Sequence, residues 1–176
     1  MKILVTGFGP FGPVVDNASS HLAEHSGHPF EVLEVSYRAV EKYFDELAGG
    51  PPDLMLLMGH DLNAHKIRFE TVAHNRIGEK EDVRGEVWGP GPIDPTAPAQ
   101  LAATLWTPEV LVETDRCEPG SDAGGYLCNF SFYKACQKLT GTRVGFIHVP
   151  PFDRLPEPVQ IEELRKAIDL ARLASV

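Results

Sequence analysis

Cys128, His148 and Glu70 are the residue types from which acyl-transfer chemistry is built: a thiol nucleophile, an imidazole base and a carboxylate that can orient the imidazole. Cys128 stands in SDAGGYLCNFSFY, where a Gly-rich loop runs into a stretch with helical spacing. At such a junction the unpaired backbone amides and the helix dipole stabilise a thiolate, and the same amides can hold an oxyanion. A free cysteine is also commonly a small buried hydrophobe. Cys136, inside the expected helix, and Cys117, in an expected loop, fit only that second description. His148 stands in FIHVPP, at the carboxyl end of a strand pattern, where open α/β sheets gather ligands and catalytic groups. A histidine satisfied by core neighbours would fit the same pattern. Glu70, in RFETVAHN, has apolar neighbours on a strand-like segment. If buried it needs a partner such as an imidazole, whereas on an exposed strand face it needs none.

These residues must be positioned by elements that alternate along the chain. Residues 2–6 read as a buried strand stopped by Gly7, followed by a Gly- and Pro-rich loop through Val15. Asn17 or Ser19 can cap a two-turn helix carrying Leu22 and Ala23. Residues 31–36 alternate as a strand with one wet face, and residues 37–47 have helical spacing ended by Gly49-Gly50-Pro51-Pro52. Residues 53–58 form an apolar strand and residues 66–72 alternate again. Residues 78–97, with four Gly and three Pro, predict a long loop whose acidic residues 79–86 are solvated. A short helix is expected over 100–106, a loop over 115–125, a helix over 126–139 and a strand over 142–149. A final amphipathic helix places Ile161, Leu164, Ile168 and Leu173 on one face. The alternation predicts an α/β fold: a three-layer sandwich with an open, mostly parallel or mixed sheet covered by helices on both faces. Strand order does not follow from it.

Composition narrows the function. The 176 residues suit one domain, and 43% hydrophobic with 23% charged residues is ordinary for a globular protein. A net charge of −9 without a basic cluster argues against nucleic acid and against an anionic membrane surface. The N-terminal apolar run is too short for a signal peptide and residues 54–58 are too short to span a bilayer, so a cytoplasmic protein is expected. Three cysteines without paired spacing fit a reducing compartment. His21, His25 and His28 have helical spacing, but Gly27 and Pro29 cut any helix short, so a solvated face is expected there rather than a metal site; His60 and His65 read the same way. The GFGPFG loop follows a strand but has no P-loop lysine, so nucleotide binding is not expected, and no G-x-S-x-G elbow is present.

The flanking residues carry a resemblance that covers nearly the whole chain. ILVTGFGPFG with Asn17-Ala18-Ser19, RFETVAHN, AGGYLCN and FIHVP resemble the opening, glutamate, cysteine and histidine segments of the pyroglutamyl peptidase I family, in the family's order. The resemblance implies a single peptidase domain over residues 1–176. It also implies a cysteine exopeptidase that removes an N-terminal pyroglutamyl group from peptides. Cys128 would attack the acyl carbonyl, His148 would take and return the proton, and Glu70 would orient the imidazole. Phe8, Phe11 and Asn17 match positions near the family's lactam pocket. Neither metal nor organic cofactor is implied; the partner is a peptide with a blocked N-terminus, and the assembly a dimer or tetramer.

The chain also departs from the family's pattern. His60 replaces a glutamine that helps shape the substrate site, and Ala64 stands where an arginine is usual. Lys80 falls where the family carries an arginine near the oxyanion, with Arg76 and Arg84 close by in sequence. The region between Glu70 and His148 is shorter than usual. A divergent enzyme that is weakly active or prefers another N-acyl group is the alternative expectation, and a catalytically silent binding protein on the same fold is its rival.

Overall fold

The run at residues 3–8 forms β1 (Ile3–Phe8), buried at every position, so the strand continues through Gly7 instead of stopping there. In the computed structural model, which describes residues 1–173, Asn17 caps α1 (Ala18–Glu24) by accepting from the Ser19 amide. The chain then forms β2 (Phe30–Leu33), α2 (Tyr37–Leu47), β3 (Leu54–His60), β4 (Ile67–Glu70) and β5 (Val72–His74). It continues through β6 (Gln100–Ala102), β7 (Cys117–Gly120), α3 (Leu127–Lys138), β8 (Arg143–Val149) and α4 (Glu157–Leu173).

Six strands make one mixed sheet in the order β2-β1-β3-β8-β4-β7. β2, β1, β3 and β8 are parallel, β4 runs antiparallel to β8, and β7 is parallel to β4. Leu54, Met55, Leu56, Leu57 and Met58 of β3 are all buried, as a central strand covered on both faces requires. α1 packs on β1, β3 and α4, while α2 packs on α3 and α3 on β3 and β8. The expected α/β three-layer fold is therefore present, and the parallel strands end together at Phe8, Leu33, His60 and Val149.

Five further local expectations are corrected. Residues 100–106 are not helical: Gln100–Ala102 pairs antiparallel with β5. The hydrogen bonds to β5, not local spacing, decide the conformation there. The 115–125 loop contains the edge strand β7, where Pro119 faces outward and removes no ladder bond that an edge needs. The 66–72 pattern splits at Thr71 into β4 and β5, which belong to different sheets. Asp82 is not solvated but buried, accepting from the amides of Tyr37, Arg84 and Glu86 and so tying the 78–88 loop to the start of α2. Leu173 is exposed, so the inner face of α4 is Gln160, Leu164, Ile168 and Ala171.

Candidate active site

Register brings the site together. Across the antiparallel β4–β8 pair, Arg68 stands opposite His148 and Glu70 opposite Phe146, and directly paired residues share a face. On the other side of β8, Gly59 of β3 stands beside His148. A methyl group at Gly59 would lie 2.5 Å from Cys128 Sγ and 2.9 Å from the Phe146 ring. Glycine is thus what lets the start of α3 come down onto the sheet next to the histidine. Gly120 does the same for the carboxylate, since a Cβ there would lie 2.5 Å from Glu70 Oε2.

The three sequence-selected side chains converge around the imidazole. His148 Nδ1 is 2.8 Å from Glu70 Oε1, and Cys128 is near enough to favour the imidazolium. Glu70 is fully buried, not on an exposed strand face. Its Oε1 also accepts from Arg68 Nε at 2.8 Å, and its Oε2 accepts from the Asp122 amide at 3.1 Å. Burial alone would raise the Glu70 carboxyl, but the His148 and Arg68 hydrogen bonds outweigh it and hold the group below the usual carboxylate range. Burial alone would lower His148; its bonds to Cys128 and Glu70 prevail and raise it to about 9. The other two thiols differ. Burial and the nearby Glu163 carboxylate push Cys117 up to about 11, and burial pushes Cys136 up to about 12.

Cys128 is the second residue of α3, whose N-cap Tyr126 offers no side-chain cap, so the first-turn amides beside the thiol keep their donor capacity. The Asn129 side chain fixes this helix end by accepting from the His74 amide and donating to the carbonyls of His74 and Arg76. Gly124, at φ +87°, gives the preceding loop a turn that other residues rarely adopt.

A small pocket opens at Cys128, walled by Phe8, Phe11, Val35 and Tyr126, with Asn17 and His60 as its polar members. Four of the five expected binding residues line it. The fifth, Lys80, sits over the Tyr126 ring at 4.2 Å and the Phe11 ring at 5.4 Å. Arg84 instead pairs with Glu34, and Arg76 with Asp122. Asn17 is engaged internally, accepting from Ser19 and donating to the Gly9 carbonyl, so it shapes the wall. His60 Nδ1 accepts from the Ala18 amide at 3.4 Å, which leaves the proton on Nε2. That Nε2 is buried with no protein partner, and burial pushes the ring toward its neutral form. Among the described residues no group of three or more His, Cys, Asp or Glu side chains could hold a metal, and no helix is long and apolar enough to cross a membrane. Sequence reasoning missed Tyr126, Val35, Gly59, Arg68 and Asp61; only the glycine before His60 offered a signal, as a residue without a side chain at a strand end.

Known proteins with similar sequences and folds agree with one another. The family model described as pyroglutamyl peptidase matches residues 1–166. Pyrrolidone-carboxylate peptidase 1 of Caldanaerobacter subterraneus subsp. tengcongensis is 31% identical over 97% of this chain and 96% of its own. The pyrrolidone-carboxylate peptidase of Vibrio vulnificus is 31% identical over 85% of this chain and 78% of its own. The crystal structure of pyrrolidone carboxyl peptidase from Thermus thermophilus superposes with a TM-score of 0.81 at 30% identity, covering 94% of this chain and 98% of that one.

Proposed function

The chain belongs to the pyroglutamyl peptidase family of cysteine omega-peptidases, and from that premise we propose that it removes an N-terminal pyroglutamyl residue from peptides through an acyl-enzyme on Cys128. The observation that carries the reading is the Glu70–His148 hydrogen bond beside Cys128, with a small, mostly apolar pocket opening at that thiol. The thiolate adds to the acyl carbonyl carbon, and first-turn amides of α3 hold the oxyanion. The His148 imidazolium gives its proton to the departing amine as the C–N bond breaks. Neutral His148 then takes a proton from water, whose oxygen attacks the thioester; the thiolate leaves and pyroglutamate is released. Glu70 keeps Nδ1 protonated and the ring in line. Phe8, Phe11 and Tyr126 suit the flat faces of a neutral five-membered ring, and the His60 Nε2–H is a donor suited to its carbonyl oxygen.

Hydrolysis of pyroglutamyl-aminomethylcoumarin by the native protein and by Cys128→Ser tests the proposal. The native protein is expected to release coumarin, and the variant to retain less than about one part in a thousand of that rate. Turnover that survives in the variant would overturn the assignment of Cys128. No turnover by the native protein, while another N-acyl aminoacyl coumarin is cleaved through Cys128, would replace pyroglutamate as the acyl group.

A further inference from the structure

Arg68 has no part in the steps above, yet its guanidinium is built into the site. Its Nε donates to Glu70 Oε1 at 2.8 Å, the same oxygen that faces His148 Nδ1. Its Nη2 donates to Asp61 Oδ2 at 2.9 Å and lies 3.4 Å from His148 Nδ1. Asp61, on the turn after β3, in turn accepts from the Asn63 amide, so this outer carboxylate is itself held. Burial would raise the Asp61 carboxyl, but the Asn63 amide and Arg68 keep it ionised, below the usual range.

The groups facing His148 are Cys128 from α3, Glu70 and Arg68 from β4 and Asp61 from the turn after β3. Asp122, across the loop before α3, is paired with Arg76. A thiolate and a carboxylate around one imidazolium make its proton hard to release. The chemistry requires release to a leaving amine, so a proton held too tightly slows acylation. A fixed cation that shares the carboxylate oxygen and approaches the ring counters this. Glu70 holds the guanidinium in place through Nε, and Asp61 offsets part of its charge through Nη2.

We propose that Arg68, held by Glu70 and with its charge partly offset by Asp61, is a positioning residue that acts through Glu70 to limit how tightly His148 holds its proton. The proposal rests on His148 being the acid–base group of the reaction, but its test does not need turnover. It predicts opposite signs for two substitutions. Removing the cation raises the proton affinity of its neighbours, and removing the outer anion lowers it.

The His148 imidazole resonances of ¹⁵N-labelled protein, assigned with His148→Asn, are followed against pH in the native chain, Arg68→Met, Asp61→Asn and Arg68→Lys. The His148 midpoint is expected to rise by about one pH unit in Arg68→Met, to fall in Asp61→Asn and to stay near the native value in Arg68→Lys. With pyroglutamyl-aminomethylcoumarin, the alkaline limb of kcat/KM moves in the same directions. An unchanged or lowered midpoint in Arg68→Met, or the same direction of change in Arg68→Met and Asp61→Asn, overturns the proposal. If Arg68→Met does not fold, Asp61→Asn decides it by the sign of its shift, with Arg68→Lys required to stay native-like. A native enzyme that leaves pyroglutamyl substrates intact would remove the proposed function, while the titration still reports whether Arg68 restrains the imidazole.

Discussion

An imidazole between a thiol and a carboxylate works as an acid–base group only while its proton is available at the working pH. His148 is raised to about 9 because its bonds to Cys128 and Glu70 outweigh the burial that would lower it. The charged form is therefore present below about 9 and is lost as pH rises through it. With pyroglutamyl-aminomethylcoumarin, kcat/KM is expected to decline through an alkaline limb near that value, because neutral His148 cannot protonate the leaving amine. Glu70→Gln removes the carboxylate that favours the imidazolium, so its limb is expected at lower pH, toward the ordinary histidine value of about 6.5. Initial rates measured on both sides of the limb check this, and coincident limbs in the two proteins would speak against the Glu70–His148 coupling. Cys128, His148 and Glu70 were legible in the sequence because their flanking segments are distinctive. Arg68 and Asp61 were not, since a charged residue beside a strand reads as solvated until the β4–β8 register sets Arg68 opposite His148.

At the scale of elements, the site depends on how closely α3 approaches the sheet. Gly59 leaves that space on β3, and a methyl group there would lie 2.5 Å from Cys128 Sγ. Gly59→Ala is expected to displace the thiol from His148 and reduce kcat/KM about 100-fold, on the scale of a misplaced catalytic group. Circular dichroism would show the helices retained, since the Phe146 ring and the thiol are side chains that can yield. A Gly59→Ala enzyme with native kcat/KM would contradict the role of this close approach. α2, α3, β3 and β8 could be read from the sequence because local spacing alone defines them. β6 and β7 could not, because three- and four-residue edge strands are specified by their partners β5 and β4, which are distant in sequence. β7 matters to the site even so. Its last residue, Gly120, makes room for Glu70, and the loop after it supplies the Asp122 amide to the same carboxylate.

Over the whole molecule, the mixed sheet explains why three residues far apart in sequence meet. Parallel β1, β3 and β8 bring Phe8, His60 and His148 toward one edge, and the antiparallel turn-back of β4 places Glu70 against β8 from the other side. The layered α/β class followed from alternating patterns, but the reversal of β4 did not, because strand direction leaves no mark on local periodicity. The central claim, that Cys128 attacks the acyl carbon of a pyroglutamyl group, is tested most directly by pyroglutamyl chloromethyl ketone and peptide-mapping mass spectrometry. A single adduct on Cys128 is expected, growing in step with the loss of peptidase activity and absent from Cys117 and Cys136, whose thiols are pushed up to about 11 and about 12. Modification of another residue in step with inactivation, or full activity with Cys128 labelled, would contradict it.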